Sequence, residues 1–346
     1  MFYLKYRPQK VAEIDNSSVR NILEKVLDAK RIPHALLFVG EKGTGKTSAA
    51  RILAKALNCL ENKFSQKNSS VEPCNLCSNC LAITKGYSVD VLEMDAASNR
   101  GIEEVKNLIK ETSFLPMNSR FRIFIIDEAH MITPDGFNAL LKTLEEPPST
   151  AIFILATTNE EKLPKTIVSR CFRINFGRAK KEDILSMLRR ICQNEKIDLS
   201  DEILDLISLR SENSFRDAAK LLEEVVVQNL KTVEEVENFL GIRGQNNFLM
   251  LIEKKDISGT FSFIEEFALN GGNFKILIED LLEKLRLKLL HKKGLLKDDE
   301  LESPLTFNEI AFLIKLLLEA YQNMKITPID SLPLEIALAE FYNKGK

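Results

Sequence analysis

Ala35-Leu36-Leu37-Phe38-Val39-Gly40-Glu41-Lys42-Gly43-Thr44-Gly45-Lys46-Thr47-Ser48 decides the reading of this chain. An apolar run enters a glycine-rich turn that closes on Gly45-Lys46-Thr47. From Gly40 to Thr47 the turn fits G-x-x-x-x-G-K-[ST], in which backbone N–H groups turn inward around phosphate oxygens. Ala49, Ala50, Ile52, Leu53, Ala54 and Ala56 then recur as in a helix. The order strand, glycine loop, helix is the setting this motif requires, because the helix N-terminus adds positive partial charge where the loop N–H groups converge. The candidate nucleotide-binding residues are Gly40, Gly43, Thr44, Gly45, Lys46, Thr47 and Ser48. Lys46 would neutralise the β- and γ-phosphates of ATP, and the Thr47 hydroxyl would ligate Mg²⁺. The competing reading, an ordinary glycine turn, does not account for the flanking strand and helix.

The second element is Ile123-Phe124-Ile125-Ile126-Asp127-Glu128, an apolar strand ending in two carboxylates. Paired with the loop, Asp127 would reach the Mg²⁺ shell and Glu128 would orient or deprotonate the attacking water. A solvated acidic strand end is the bland alternative. Like charges so close conflict without a cation, and Mg²⁺ would remove that conflict.

Outward from these motifs, apolar runs alternate with helical patterns. Ala35–Val39, Asp90–Met94, Arg122–Asp127 and Ala151–Thr157 read as strands buried on both faces. Helical spacing relates Val19, Leu23, Val26 and Leu27, then Ile102, Val105 and Leu108, then Phe137, Leu140, Leu141 and Leu144. Such alternation predicts an α/β fold, a parallel sheet with helices on both faces. Phe172–Phe176 reads as a last short strand. Beyond Gly177 the pattern is helical over Glu182–Glu195, Asp201–Arg210, Asp217–Gln228 and Val233–Leu240. Gly241 and Gly244 mark an expected hinge before a further helical stretch. The expected domains are 1–177, with a module inserted at 59–80, then a helical lid at 178–242 and an all-α domain at 245–346.

That insert holds Cys74-x-x-Cys77-x-x-Cys80, with Cys59 at the end of the helix after the loop. Four thiolates suit a closed tetrahedral Zn²⁺ site that does no catalysis. Free thiols and an iron–sulfur cluster are the alternatives. Cys171 and Cys192 read as small buried residues.

The chain has 346 residues, 45% hydrophobic and 28% charged, with a net charge of −2. This allows a sizeable core and excludes a uniformly basic nucleic-acid coat. No apolar run is long enough for a membrane span, so no membrane partner and a cytoplasmic location are expected.

At this point the residues resemble a known family. Lys5-Tyr6-Arg7-Pro8, the glycine loop, the cysteine cluster, Asp95-Ala96-Ala97-Ser98 and Asp127-Glu128-Ala129-His130 come in that order. Asn138-Ala139-Leu140-Leu141-Lys142-Thr143-Leu144-Glu145-Glu146-Pro147-Pro148 and Ser169-Arg170-Cys171 complete the series. The combination looks like the gamma/tau subunits of bacterial DNA polymerase III, clamp-loader ATPases of the AAA+ class. The likeness runs from Phe2 to about Gly241. Pro333-Leu334-Glu335-Ile336-Ala337-Leu338 resembles the end of the family's collar domain.

The resemblance implies further roles. Arg170 matches an arginine finger acting on a neighbour's ATP, although a surface salt bridge would use the same residue type. Thr158 matches sensor 1, and Arg216 matches sensor 2 in the lid. Tyr6, Arg7 and Pro8 match the lining of the adenine pocket. Ser98, Asn99 and Arg100 fall where the family faces DNA phosphates, and Phe114 to Met117 where it approaches the clamp. The implied partners are delta, delta-prime and further gamma copies, the sliding clamp and primer–template DNA. The stretch Ile14-Asp15-Asn16 departs from the family pattern, and Asn213 stands where glycine is frequent. Ending at Lys346, the chain is expected to be gamma-like in length. Two other functions compete: a non-hydrolysing stator resembling delta-prime, disfavoured by the intact Lys46, Thr47, Asp127 and Glu128, and a DExH-type helicase suggested only by Asp127-Glu128-Ala129-His130.

Overall fold

The computed structural model describes residues 1–29, 31–62, 71–99, 101–240, 245–269, 271–296 and 301–343. They form two compact units, Met1–Leu230 and Lys231–Lys346. Arg100, Gly241, Gly244 and most of the loop between Asn62 and Glu72 lie outside the described residues.

In the first unit, five strands form one sheet: β1 (Ala35–Gly40), β2 (Val91–Asp95), β3 (Arg122–Asp127), β4 (Ala151–Thr157) and β5 (Phe172–Gly177). Their order is β2-β3-β4-β1-β5, and every pairing is parallel. Helices α1 (Phe2–Lys5), α2 (Ser17–Asp28), α3 (Lys46–Asn58), α4 (Ser78–Lys85), α5 (Ile102–Glu111), α6 (Pro134–Glu145) and α7 (Lys165–Val168) accompany the sheet. The period-2 alternation of a strand sends successive side chains to opposite faces. Leu36, Phe38, Ile123, Ile125, Ile152 and Ile154 therefore pack with Val19, Leu23, Leu27, Leu53 and Leu57 of α2 and α3. Leu37, Phe124, Ile126, Phe153 and Leu155 pack with Val105 and Leu108 of α5 and Phe137, Leu140 and Leu144 of α6. Both faces of the parallel sheet are covered, as expected.

One expectation needs correction. The strand expected over Asp90–Met94 is not buried on both faces, because β2 lies at the sheet edge and of its residues only Met94 is buried. Asp90, just before it, is wholly buried, and its carboxylate accepts the N–H groups of Met117 and Asn118 at 2.8 Å each. β5, the other edge, alternates, with only Ile174 and Phe176 turned inward. The segment Cys74–Cys80 also contains the start of a helix, α4, which begins at Ser78 with the Cys77 side chain at its N-cap.

Helices α8 (Lys181–Glu195), α9 (Asp201–Arg210) and α10 (Phe215–Val227) complete the first unit. Ser200 caps α9 and Ser214 caps α10, each through its hydroxyl. The second unit contains α11 (Val233–Phe239), α12 (Gln245–Glu253), α13 (Ile257–Leu269), α14 (Phe274–Lys292), α15 (Phe307–Asn323) and α16 (Leu332–Asn343). Its core joins Phe248, Leu277, Leu281, Leu313, Leu317 and Leu338. The half-buried Glu253 carboxylate accepts from Lys288 Nζ at 2.7 Å and from Ser303 Oγ at 2.5 Å, so neither charge is left unpaired.

Phe124 and Phe153 stack across adjacent central strands with ring centroids 5.1 Å apart. Phe124→Ala opens a cavity in a site with no exposed neighbour to fill it. It is expected to cost about 3–5 kcal/mol, measured as the loss of unfolding free energy in urea by circular dichroism.

Candidate nucleotide and metal sites

The parallel register brings the C-terminal ends of the central strands together. Val39 pairs with Thr157, and Ile126 with Leu155. The glycine loop after β1, the acids after β3 and Thr158 after β4 thus share one edge of the sheet, where ligands of open α/β sheets bind.

The loop adopts conformations that depend on glycine. Gly43 has φ +77° and Gly45 has φ +95°. A Cβ on Gly43 would lie 1.9 Å from Ser214 Oγ and 2.9 Å from its Cβ, so Ser214 or the loop would have to move. The Gly43 carbonyl accepts the Phe215 N–H at 3.1 Å, which seats the loop on the start of α10. Lys46 is buried, and its Nζ donates to the carbonyls of Gly40 and Glu41, both at 2.8 Å. Burial pushes the Lys46 ammonium below its ordinary value, opposed by the carboxylates of Glu128, Asp127 and Glu41. Thr44 Oγ1 donates to the Glu41 carbonyl at 2.8 Å. Thr47 Oγ1 donates to Asp127 Oδ2 at 2.5 Å, so the hydroxyl and the carboxylate converge on one point. Oxygen donors of this kind fit Mg²⁺.

Glu128 takes a left-handed backbone, φ +47°. Its Oε2 accepts from Thr158 Oγ1 at 3.2 Å and lies 3.5 Å from His130 Nδ1. His130 Nδ1 is also 3.0 Å from Thr157 Oγ1. His130 and Thr157 received no role in the sequence reading. Their only signal was nearness to the acids and to Thr158, and pairing across the sheet was needed to bring them together.

Lys46, Thr47, Asp127 and Glu128 line a cleft of about 300 Å³ within the first unit, whereas Thr158 and His130 stand behind Glu128 and do not line it. Tyr6, Arg7 and Pro8 line it, as do Gly43, Thr44, Gly45, Lys46, Thr47, Ser48, Asp127, Glu128 and Arg216. Gly40 lies behind the loop, its Cβ position 2.7 Å from the Phe176 side chain. Arg7 Nε donates to Ser48 Oγ at 2.8 Å. Burial, with Arg51 nearby, pushes the Arg7 guanidinium down from its ordinary value. Arg216 lies over the Tyr3 ring, 5.1 Å from its centroid, a cation–π contact. Met187, Ile191, Phe215 and Ala219 supply an apolar wall that helical periodicity alone did not assign to any site.

The two departures from the family pattern have physical accounts. Asn213 adopts φ +58°, a left-handed conformation that glycine favours and asparagine tolerates better than most residues with a Cβ. Asn16 caps α2, accepting the Val19 N–H at 3.1 Å, and donates to the Phe176 carbonyl at 2.9 Å. Burial pushes the neighbouring Asp15 carboxyl up to about 6, even though Arg190 pairs with it.

Other expected residues lie apart from the cleft. Arg170 donates to Glu145 at 2.6 Å and to the Thr166 carbonyl at 2.8 Å, and it does not line the cleft of its own chain. Ser98 and Asn99 form a turn around Asp95, with the Asn99 N–H donating to the Asp95 carbonyl at 2.9 Å. Phe114, Leu115 and Met117 are exposed. Cys192 is buried as expected, whereas Cys171 is only half-buried.

The four thiols of the cluster do meet. Sγ atoms of Cys59, Cys74, Cys77 and Cys80 lie within 4.8 Å of one another. Backbone N–H groups already point at the sulfurs: Cys74 N at Cys59 (3.4 Å), Cys77 N at Cys74 (3.2 Å) and Cys80 N at Cys77 (3.5 Å). Burial pushes the Cys77 thiol up, but the N–H groups of Cys80 and Leu60 outweigh it and bring it down to about 7. Burial holds the Cys74 and Cys80 thiols above their ordinary value. The all-sulfur donor set fits a thiophilic, four-coordinate ion.

Comparison with known proteins follows the same lines. A family model described as DNA polymerase III, delta subunit, matches residues 15–180. DNA polymerase III subunit tau of Bacillus subtilis is 34% identical over 98% of this chain, which spans 62% of that relative's length. DNA polymerase III subunit gamma of Buchnera aphidicola is 33% identical over 98% of this chain and 95% of its own. This chain belongs to the DNA polymerase III gamma/tau family. The gamma/tau subunit of Mycobacterium tuberculosis is 36% identical over 82% of this chain, which spans half of that protein. Among solved structures, the RuvB Holliday junction branch migration motor of Thermotoga maritima aligns over 71% of this chain and 79% of its own. That alignment has 16% identity and a TM-score of 0.48, too loose a likeness to carry an argument. The fold is a five-stranded parallel sheet with a glycine loop between β1 and α3 and the cysteine module inserted between α3 and β2.

Cys77→Ser removes one sulfur from the cluster. Purified variant chain is expected to hold at least several-fold less zinc than wild type by elemental analysis; full retention would discredit the metal assignment.

Proposed function

We propose that this chain is the ATP-hydrolysing motor subunit of a DNA polymerase III clamp loader. The observation that carries the reading is the meeting of Lys46, Thr47, Asp127, Glu128 and Arg216 around one cleft at the strand ends. Sliding-clamp loading on primer–template DNA is the task that family membership suggests. The partners would be delta, delta-prime and further gamma copies, all in the cytoplasm. No helix among the described residues is long and apolar enough to cross a membrane, which agrees with that setting. The division into a nucleotide-binding domain at 1–177, a lid at 178–242 and a collar at 245–346 belongs to the same proposal.

Each residue has a task in this reading. The loop N–H groups and the start of α3 hold the phosphates by hydrogen bonds and dipole. Lys46 leaves its carbonyl partners for the β- and γ-phosphate oxygens. Tyr6, Arg7 and Pro8 face the base side of the cleft. Thr47 and Asp127 would hold Mg²⁺, which supplies charge neutralisation on the phosphates when bound. Glu128 orients a water in line with the γ-phosphate and accepts its proton, and Thr158 fixes the angle of that carboxylate by its hydrogen bond. Arg216, on the lid, places a positive charge near the γ-phosphate and ties lid position to nucleotide state. Cys59, Cys74, Cys77 and Cys80 would hold Zn²⁺ as a structural ion.

Arg170 acts on the ATP of a neighbouring subunit. Its exposed site and its pairing with Glu145 are compatible with exchange of that carboxylate for a phosphate. Ser98, Asn99 and Arg100 are offered for DNA phosphates and Phe114 to Met117 for the clamp.

Lys46→Ala is expected to lose nucleotide binding in equilibrium titration, while Glu128→Gln binds ATP and turns it over at least about a hundredfold more slowly. Wild-type hydrolysis in both variants would refute the site. Arg170→Ala should bind ATP normally alone and lose roughly a thousandfold in turnover only in the assembled complex. Equal turnover of assembled mutant and wild type would rule out the action in trans.

A further inference from the structure

Lys55 is a lysine with no exposed surface to speak of, 1% accessible, on the helix that follows the glycine loop. The steps described so far give it no task. Its Nζ donates to Gln9 Oε1 and to Asn75 Oδ1, both at 2.7 Å. Gln9 follows the arm residues Tyr6, Arg7 and Pro8 that line the cleft, and Asn75 follows Cys74 in the cysteine module. Gln9 Nε2 in turn donates to the Arg7 carbonyl at 3.1 Å, and Arg7 Nε reaches Ser48 Oγ. A second tie runs in parallel. The Glu72 carboxylate accepts the N–H groups of Val11 and Ala12, each at 2.8 Å. Both ties join the module to the arm, and Asn75 also donates its backbone N–H to the Cys80 sulfur.

Burying an ammonium is costly unless its hydrogen bonds are met, so a side chain in this position fixes its acceptors firmly. Asn75 presents its oxygen from a left-handed backbone, φ +59°, set by the turn between Cys74 and Cys77. The shape of the cysteine turn therefore sets where Lys55 points, and Lys55 sets where Gln9 and the arm lie. We propose that the cysteine module is a clasp that positions the N-terminal arm on the nucleotide cleft, with Lys55 as its pivot and Glu72 as its second tie. The module then governs nucleotide affinity from outside the phosphate site, and Lys55 is a positioning residue. This rests on reading the cleft as the nucleotide site, and its metal dependence rests on the cluster holding zinc.

The test uses the full chain. Zinc content and wild-type affinity for a fluorescent ATP analogue are measured first, so failure of either site assignment is seen separately. Lys55→Met is expected to weaken the analogue about tenfold while the number of sites per chain stays near wild type. Deuterium uptake in peptides covering residues 2–13 should rise in the same variant. Should Lys55→Met not fold, Glu72→Gln provides the second reading, with a loss of roughly threefold and the same rise in uptake. Stripping zinc from wild type with a chelator should produce both changes together. Unchanged affinity and uptake in the folded variants overturns the clasp. Fewer sites at unchanged affinity also overturns it, because that marks simple structural loss. A wild-type chain without zinc would remove the metal from the picture and leave the variants to decide.

Discussion

The cleft at the strand ends depends on one backbone constraint: the chain must turn from a buried strand into a helix without a Cβ at Gly43 or in the left-handed step at Gly45. Gly43 leaves less than a carbon's width to Ser214, so the loop and the start of α10 can touch only because that position is bare. Through this contact the phosphate loop and the helix carrying Arg216 are placed relative to each other. A side chain at Gly43 would strain the turn and press on the start of α10 at once.

A second feature is how the site manages its charges. Lys46 is buried beside Asp127 and Glu128, and its hydrogen bonds are met by loop carbonyls. The acids are not left bare either: Asp127 receives the Thr47 hydroxyl and Glu128 receives the Thr158 hydroxyl. Hydroxyl donors can turn away when a stronger partner arrives, whereas a fixed ion pair would resist exchange. The cleft thus holds these groups in place through contacts that a stronger partner could exchange.

The cysteine module lies outside the sheet, yet its contacts converge on the P-loop helix. Cys59 caps α3, Lys55 on the same helix reaches the cysteine turn, and Asn79 Nδ2 donates to the Asn58 carbonyl at 3.0 Å. Two polar groups near the end of α3, the Lys55 ammonium and the Asn58 carbonyl, are thereby satisfied by one small insert. Without it, α3 would end with buried groups unmet and the arm over the cleft would lose two ties.

Much of this was legible in the residues before any fold was known. Local motifs carry their chemistry in short spacings, so the P-loop, the acids after β3 and the four cysteines could be read directly, and buried central strands betray themselves by unbroken apolar runs. Edge strands were less legible: Glu93 interrupts the apolar run of β2, but that the strand is half exposed became plain only from its place at the sheet edge. Likewise, that Glu128 meets Thr158, that His130 meets Thr157, that Tyr3 lies under Arg216, and that Lys55 joins the arm to the cysteine turn were decided only by tertiary structure. Each of these contacts pairs residues from separate segments, whose distance is set by strand order and helix packing, quantities that no local run of amino acids encodes.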